Sequence, residues 1–286
     1  MHRAVERIGT RVPPVRPSKF SRLIVGLIVV GAVSAAAYGA GRIAAYGSRA
    51  APPERSTGRL TGGPRLILWA WERPELLDFI DPHQVGVAFL ARTLFLRSDR
   101  VVVRPRFQPL RVPPGTALTA VVRIQSEKAD PPTLSPAQGA TAVAAMIQVT
   151  RLPGVTGLQI DFDALASERA FYRALLSDLH RQLQPPTALS MTALASWCMF
   201  DDWITGLPVA EAVPMLFQMG PGQSHVVHRL AAGQDFRPRL CRQSIGIATD
   251  ELPRRLPRGR RLYVFHPRPW SPAAVEQIVQ GARQWR

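Results

Sequence analysis

Short apolar runs alternate with helical or turn-rich segments along the chain from Arg65 onward. This alternation is typical of βα units whose strands form a parallel sheet. Eight runs have the length and composition of buried strands: Leu66–Trp71, Val85–Leu90, Leu118–Gln125, Gly157–Asp163, Leu189–Trp197, Ala212–Met219, Ser244–Thr249 and Arg261–His266. Eight parallel strands are the number that closes a (β/α)8 barrel. We therefore predict an α/β fold with a single TIM-type barrel over residues 65–286.

Helices are marked by serines that can cap a first turn, two of them followed by proline, which that turn tolerates: Ser135, Ser167 and Ser271. The first helix is expected to end at Val149, and the second at about Leu183. The stretch Thr93–Pro114 lacks helical periodicity, and its β-branched and proline residues predict an inserted β-ribbon instead.

The first sixty residues are basic and then apolar. Six Arg or Lys residues fall in residues 1–22, and residues 23–40 carry no charge. This order predicts a basic cytoplasmic arm and then a transmembrane anchor or a signal-peptide core. Residues 41–64 are rich in Gly, Pro and Ser and predict a flexible tether. We expect an inner-membrane protein with a periplasmic barrel or, alternatively, a protein exported after signal cleavage.

The charge and the cysteine content limit which kinds of partner the sequence predicts. The net charge is +16, but half of it lies in the first sixty residues and the remaining Arg residues are scattered, so no nucleic-acid partner is predicted. The chain has two cysteines, and they lack the Cys/His spacing of a zinc site, so neither metal nor cofactor is expected. Cys198 and Cys241 are predicted near opposite barrel ends, which leaves open whether they are bridged.

The fourth predicted strand carries a polar row. Gln159, Asp161 and Asp163 alternate with apolar residues, so all three share one face of the strand. Polar side chains inside a barrel are costly unless they are hydrogen-bonded, and they often mark a site. Two carboxylates this close raise the pKa of one of them, which suits general-acid catalysis. The alternative is a structural role, as a helix cap or in a salt bridge to an inward residue such as Arg123.

Tryptophans and polar residues gather at the predicted carboxyl ends of the strands, where TIM-barrel sites form. The tryptophans are Trp69, Trp71, Trp197, Trp203 and Trp270. Because aromatic faces stack on sugar rings, these tryptophans predict a surface that binds a polysaccharide. The alternative is that they are ordinary packing residues of the core. Three polar residues at the same ends are further candidates for substrate binding: Glu72, Asp202 and Gln218.

The segment Thr156–Asp163 resembles strand four of the chitinase-like TIM-barrel glycosidases, Asp-Gly-x-Asp-x-Asp-x-Glu. Asp161 matches the third Asp of that pattern, and Asp163 stands where the family has the Glu that protonates the glycosidic oxygen. Met215–Gln218 is similar to the Met-x-Tyr-Asp of strand six, and Trp270 to a Trp at the floor of the sugar subsite. Several stretches look more closely like an uncharacterised bacterial family of unknown function grouped with these glycosidases: Trp69–Leu90, Gly157–Gly220 and Cys241–Ser271.

The resemblance implies a glycoside hydrolase-like envelope protein that acts on a polysaccharide, with Asp163 and Asp161 as catalytic residues. Phe217 and Gln218 lack the hydroxyl and the charge that help to hold an attacking acetamido group, which disfavours the substrate-assisted route. Other hydrolytic routes need a second carboxylate. The candidates are Glu72, Asp201, Asp202 and Asp250. The alternative is a non-catalytic carbohydrate-binding or envelope-scaffold protein on a degraded glycosidase barrel.

Overall fold

The computed structural model describes residues 63–253 and 255–284. The strands are β1 (Leu66–Ala70), β2 (Glu75–Leu76), β3 (Val85–Arg97), β4 (Arg100–Pro105), β5 (Leu110–Arg111), β6 (Leu118–Ser126), β7 (Val155–Asp161), β8 (Ala188–Leu194), β9 (Glu211–Met215), β10 (Ser244–Ala248) and β11 (Arg261–Phe265). The α-helices are α1 (Pro136–Val149), α2 (Arg169–Gln182), α3 (Ala195–Phe200), α4 (Gln223–Ala231) and α5 (Pro272–Gln284).

Eight of the strands form a closed parallel barrel. Their order is β1, β11, β10, β9, β8, β7, β6, β3, and β1 pairs in parallel with both β11 and β3. This closure confirms the predicted TIM-type barrel. In the described residues no α-helix follows β1, β3 or β10, so the helical layer is incomplete.

The predicted ribbon is present. The thirteen-residue strand β3 extends past the barrel, where its outer half pairs antiparallel with β4. Arg106, just after β4, donates hydrogen bonds to the carbonyl oxygens of Trp71 and Arg73, the latter at 2.6 Å. The ribbon is therefore fastened to the chain that leaves β1.

Three predicted strands extend two or more residues too far along the sequence. Strand five was predicted to reach Trp197, but β8 ends at Leu194 and the next residues form α3. Strand six ends at Met215 and strand four at Asp161. The predictions were wrong because an apolar run that continues from a strand into a helix or loop shows no break in hydrophobicity.

Two of the predicted serine caps are confirmed. Ser135 accepts a hydrogen bond from the amide of Gln138, and Ser271 accepts one from the amide of Ala274, both at 3.2 Å. Ser167 is not a cap, because it lies within a 3-10 turn, Ala166–Glu168, that precedes α2.

The hydrophobic core has two layers. The outer layer lies between the strands and the helices and includes Leu158, Ile160 and Phe162. The inner layer fills the barrel: Ile67, Trp69, Ala88, Leu90, Val121, Val213 and Tyr263. At the amino ends of the strands, the buried Glu211 accepts a hydrogen bond from Tyr263 at 2.7 Å and pairs with Arg261 at 3.5 Å. The interior of the barrel is thus packed from the amino ends of the strands up to Trp69.

Cys198 and Cys241 form a disulfide, with their Cα atoms 5.9 Å apart. Cys198 lies in α3 and Cys241 in the 3-10 turn Arg239–Arg242, so the expectation of opposite barrel ends was wrong. Strand β8 stops at Leu194, earlier than predicted, so Cys198 falls in α3, where it meets Cys241.

Residues 1–62 hold the predicted arm, the anchor or signal core and nearly all of the tether, and they lie outside the described residues. None of the helices within 63–253 and 255–284 combines the length and apolar content that crossing a membrane requires.

Candidate functional site

A cavity of about 220 Å³ opens at the carboxyl ends of the barrel strands, and we refer to it as the cleft. Its principal side chains come from or just after six barrel strands: Trp69, Trp71, Arg123, Asp161, Asp163, Thr192, Met215, Phe217, Gln218 and Phe265. Aromatic rings, two carboxylates and one guanidinium therefore converge on one small space, at the barrel end where sites of this fold form.

Asp161 is the last residue of β7, and its side chain points into the barrel, as the alternation predicted. The residue is 7% exposed. Its Oδ1 accepts a hydrogen bond from Thr192 Oγ1 at 2.7 Å, and its Oδ2 lies 3.8 Å from Arg123 Nη1. Burial raises the pKa of Asp161, and the charge of Asp163 raises it further, while Arg123 and Thr192 lower it. Asp161 is a fixed, largely enclosed carboxyl group.

Asp163 lies two residues beyond the end of β7 and is exposed at the mouth of the cleft. Among the described residues it has no hydrogen bond or ion pair. Partial desolvation by the surrounding protein raises its pKa, and the nearby Arg123 opposes that shift. The repulsion between the two carboxylates raises the pKa of Asp161, the more buried partner. Asp163 is thus a reachable acid with a raised pKa.

Gln159 and Trp69 form the floor beneath these acids. Trp69 Nε1 donates to Gln159 Oε1 at 2.9 Å in a fully buried position. The Trp69 ring lies against Tyr263, with centroids 5.4 Å apart, and meets Phe217 edge-on at 6.0 Å. Trp69 lines the cleft, whereas Gln159 acts behind it by holding the indole in place.

Arg123 links the acids to an aromatic wall. Its guanidinium carbon is 5.8 Å from the centroid of the Trp71 ring, close enough for a cation–π contact, while Nη1 faces Asp161. The sequence suggested Arg123 only as a salt-bridge partner for the acids, which it is for Asp161. Thr192 was missed, although Ser190 and Thr192 form a short polar alternation in an apolar strand that could have revealed it.

The remaining predicted binding residues do not line the cleft. Glu72 is exposed and pairs with Arg104 at 2.6 Å, and Asp202 is exposed and pairs with Arg237 at 2.8 Å. Trp197 is buried in α3 against Trp203.

Trp270 is 5% exposed, and its indole donates to the Trp69 carbonyl oxygen at 3.1 Å. The expected single tryptophan surface is therefore reduced to Trp69 and Trp71, since the other tryptophans are packed in the core or against it.

None of the candidate second carboxylates faces Asp163 across the cleft. Glu72 and Asp202 are paired elsewhere, Asp201 pairs with Arg169 at 2.7 Å, and Asp250 is exposed outside the cleft. In the described part of the chain, Asp161 and Asp163 are the carboxylates that line the cleft. The same residues also contain no cluster of His, Cys, Asp or Glu suited to hold a metal ion.

A search of solved structures finds similarity to the spore cortex-lytic enzyme SleL of Bacillus cereus, with 15% sequence identity and a TM-score of 0.42. The match covers 65% of this chain and 51% of that chain, so it spans about half of the SleL structure. No protein-family model and no curated protein matches the chain. The fold assignment therefore depends on the closed parallel barrel, and the predicted family membership stays a prediction.

Proposed function

We propose that this protein is a glycoside hydrolase-like barrel that binds a polysaccharide in the cleft and protonates a glycosidic oxygen through Asp163. The position of Asp163 carries the proposal: its carboxyl group is exposed at the mouth of the cleft, is not tied to a described cation or donor, and has a raised pKa. A general acid must be both reachable and protonated near its working pH.

The cleft supports sugar binding through its walls. Trp71 and Phe265 offer aromatic surface, Gln218 offers an amide, and Arg123 offers hydrogen-bond donors. A volume of about 220 Å³ is below the roughly 300–1,000 Å³ of drug-sized ligand pockets, so it suits one sugar unit of a longer chain.

The mechanism also needs a nucleophile that attacks the anomeric carbon. Retaining and inverting hydrolases ordinarily place a second carboxylate opposite the acid, and none of the described carboxylates has that position. One route needs no such group, because an acetamido oxygen of the substrate attacks the anomeric carbon while the acid protonates the leaving oxygen. That route would require an N-acetylated sugar, and Phe217 and Gln218, which stand in the place of the usual Tyr and Asp, lack the hydroxyl and the charge that ordinarily hold its acetamido group.

A second candidate function follows from the same observation. A barrel that retains the acid and the aromatic walls but has no opposing carboxylate is also suited to bind a polysaccharide without cleaving it. This would be a carbohydrate-binding or envelope-scaffold role.

The two functions differ in turnover. Full-length protein in detergent is incubated with N-acetylated β-1,4-linked oligosaccharides and with bacterial envelope polysaccharide, and new reducing ends and binding are both measured. If Asp163 is the general acid, Asp163→Asn lowers the rate by about 100-fold or more, since acid catalysis contributes about 10²–10⁴. Sugar binding changes little.

The matched control is Asp202→Asn, which alters an exposed carboxylate outside the cleft and should leave the rate unchanged. Binding without turnover in the wild type would support the second candidate. Absence of both binding and turnover with every glycan would contradict both.

We also propose that the barrel lies outside the cytoplasm, with residues 23–40 as a membrane anchor or as a signal core that is removed. The basic-then-apolar order of residues 1–40 supports this, as does the Cys198–Cys241 disulfide, because disulfides persist in oxidising compartments. Alkaline phosphatase fused after residue 60 should be active. An inactive but well-expressed fusion would contradict the topology.

A further inference from the structure

A second cavity adjoins the cleft, and we refer to it as the groove. Its volume is about 680 Å³, roughly three times that of the cleft. Arg123 and Asp163 line both cavities. The two spaces therefore lie next to each other at the exposed acid.

The groove has apolar walls from three separate segments. Phe95 of β3 stands on the ribbon side, where the guanidinium carbons of Arg97 and Arg104 lie 5.6 and 5.2 Å from its ring centroid. Pro131 and Pro132, in the loop after β6, form a second wall. Leu165, in the loop after β7, forms the third and is 66% exposed.

The backbone of Leu165 is held although its side chain is exposed. The amide of Leu165 donates to Glu168 Oε2 at 2.6 Å, and Ser126 Oγ donates to Glu168 Oε1 at 2.5 Å. Glu168 is itself buried. These bonds fasten the loop after β7 to the end of β6, so an apolar side chain is kept at a fixed place on the groove. Fixed apolar contacts lower the ordering cost of binding.

Polar groups lie between these apolar walls. Gln125, Ser126 and Lys128 line the groove from β6 and the loop that follows. Alternating apolar walls and hydrogen-bonding groups match a sugar chain, whose rings carry apolar faces and hydroxyl edges. Because the groove adjoins the cleft at Asp163, a long molecule bound in the cleft is the occupant that its position favours.

We propose that the groove binds the sugar units that continue from the cleft, so that the chain of a polysaccharide crosses Asp163 and several units lie against Leu165 and Phe95. This inference rests on the proposed function, because the ligand in the cleft must be a polysaccharide. It adds that affinity depends on chain length and that the residues responsible lie on the ribbon and on the loops after β6 and β7.

The test is calorimetric titration of full-length protein in detergent, carrying Asp163→Asn to prevent turnover. The probes are N-acetylated β-1,4-linked glucosamine oligosaccharides of two and six units. We expect the hexamer to bind at least about tenfold more tightly than the dimer, because it contacts both cavities. Leu165→Ala should weaken hexamer binding by about fivefold, through loss of apolar contact, and leave the dimer unaffected.

Leu152→Ala is the matched control, since Leu152 is another exposed leucine (42%) that lines neither the cleft nor the groove. Equal affinity for dimer and hexamer would overturn the groove while leaving the cleft proposal intact. An equal loss for both lengths in Leu165→Ala would also overturn it, because the leucine would then act only through the Asp163 loop. If neither length binds, the proposed function fails and the groove inference fails with it.

Discussion

Gly246 of β10 makes room for the indole that floors the cleft, and adding one methyl group tests that arrangement. A Cβ atom at Gly246 would lie 2.7 Å from Cη2 and 3.1 Å from Cζ3 of Trp69, and 3.5 Å from the Cα atom of Met215. The first two distances are shorter than ordinary contacts. In Gly246→Ala the indole must therefore shift.

The indole has little freedom to move. It packs against Tyr263 and Phe217, and its Nε1 hydrogen bond to Gln159 is buried. Overpacking a core costs about 1–3 kcal/mol. If the shift breaks the hydrogen bond, two unpaired buried groups add about 1–3 kcal/mol. We expect a loss of about 2 kcal/mol, which for a domain of this size lowers Tm by about 4–8 °C.

The assay is thermal unfolding of the full-length protein, followed by tryptophan fluorescence. Gly139→Ala is the control, because its new Cβ would meet Phe171 at 3.4 Å, an ordinary contact, and alanine favours a helix over glycine by about 1 kcal/mol. Trp69→Phe provides a second background, since phenylalanine lacks the outer ring atoms that clash. There, Gly246→Ala should cost much less, and the difference between backgrounds measures the coupling.

Two results would refute this reasoning. Gly246→Ala with a wild-type Tm would mean that the indole does not occupy the space beside β10. An equal loss of stability in the wild-type background and in the Trp69→Phe background would mean that the methyl group meets something other than the indole.

Two further predictions concern the disulfide and the buried acid. Replacing Cys198 and Cys241 with serine should destabilise the domain by about 4 kcal/mol, because the bridge closes a loop with a sequence separation of 43; an unchanged denaturation midpoint would contradict this. The raised pKa of Asp161 means that the folded state binds the proton of this carboxyl group more tightly than the unfolded state does. The stability that the bound proton contributes is therefore fully present below about pH 3.8 and is lost as the pH rises through the folded-state pKa. Asp161→Asn should therefore gain Tm relative to wild type as the pH rises above about 3.8, and a pH-independent difference would show that Asp161 ionises without cost.

The barrel was predictable because every barrel strand contains a compact apolar run between turn residues. The alternation in β7 also predicted correctly that Gln159 and Asp161 point inward and that Leu158 and Ile160 pack outward. These features depend on local periodicity, which a single sequence displays. The ribbon was predictable for a related reason, since its β-branched residues and prolines exclude a helix.

The composition of the cleft was less predictable, because it depends on where each strand stops. Trp197 was predicted at the end of a strand, but β8 stops at Leu194 and the chain turns into α3, which carries this tryptophan into the core. Trp270 is near the correct strand end, yet its indole bonds to the Trp69 carbonyl oxygen. The ion pair between Glu72 and Arg104 could not be predicted from the sequence either, since it depends on where the ribbon places β4 relative to the end of β1.

The closure of the barrel between β1 and β11 has a consequence for biogenesis. The first strand of the domain, β1, pairs with the last strand, β11, and the amide of Leu262 donates a hydrogen bond to the carbonyl oxygen of Arg65. While a ribosome makes this chain from its amino end, one edge of β1 remains open until almost the whole domain has been synthesised. Unpaired strand edges attract other chains. We therefore expect the nascent domain to associate readily with other chains through this edge until β11 has been made.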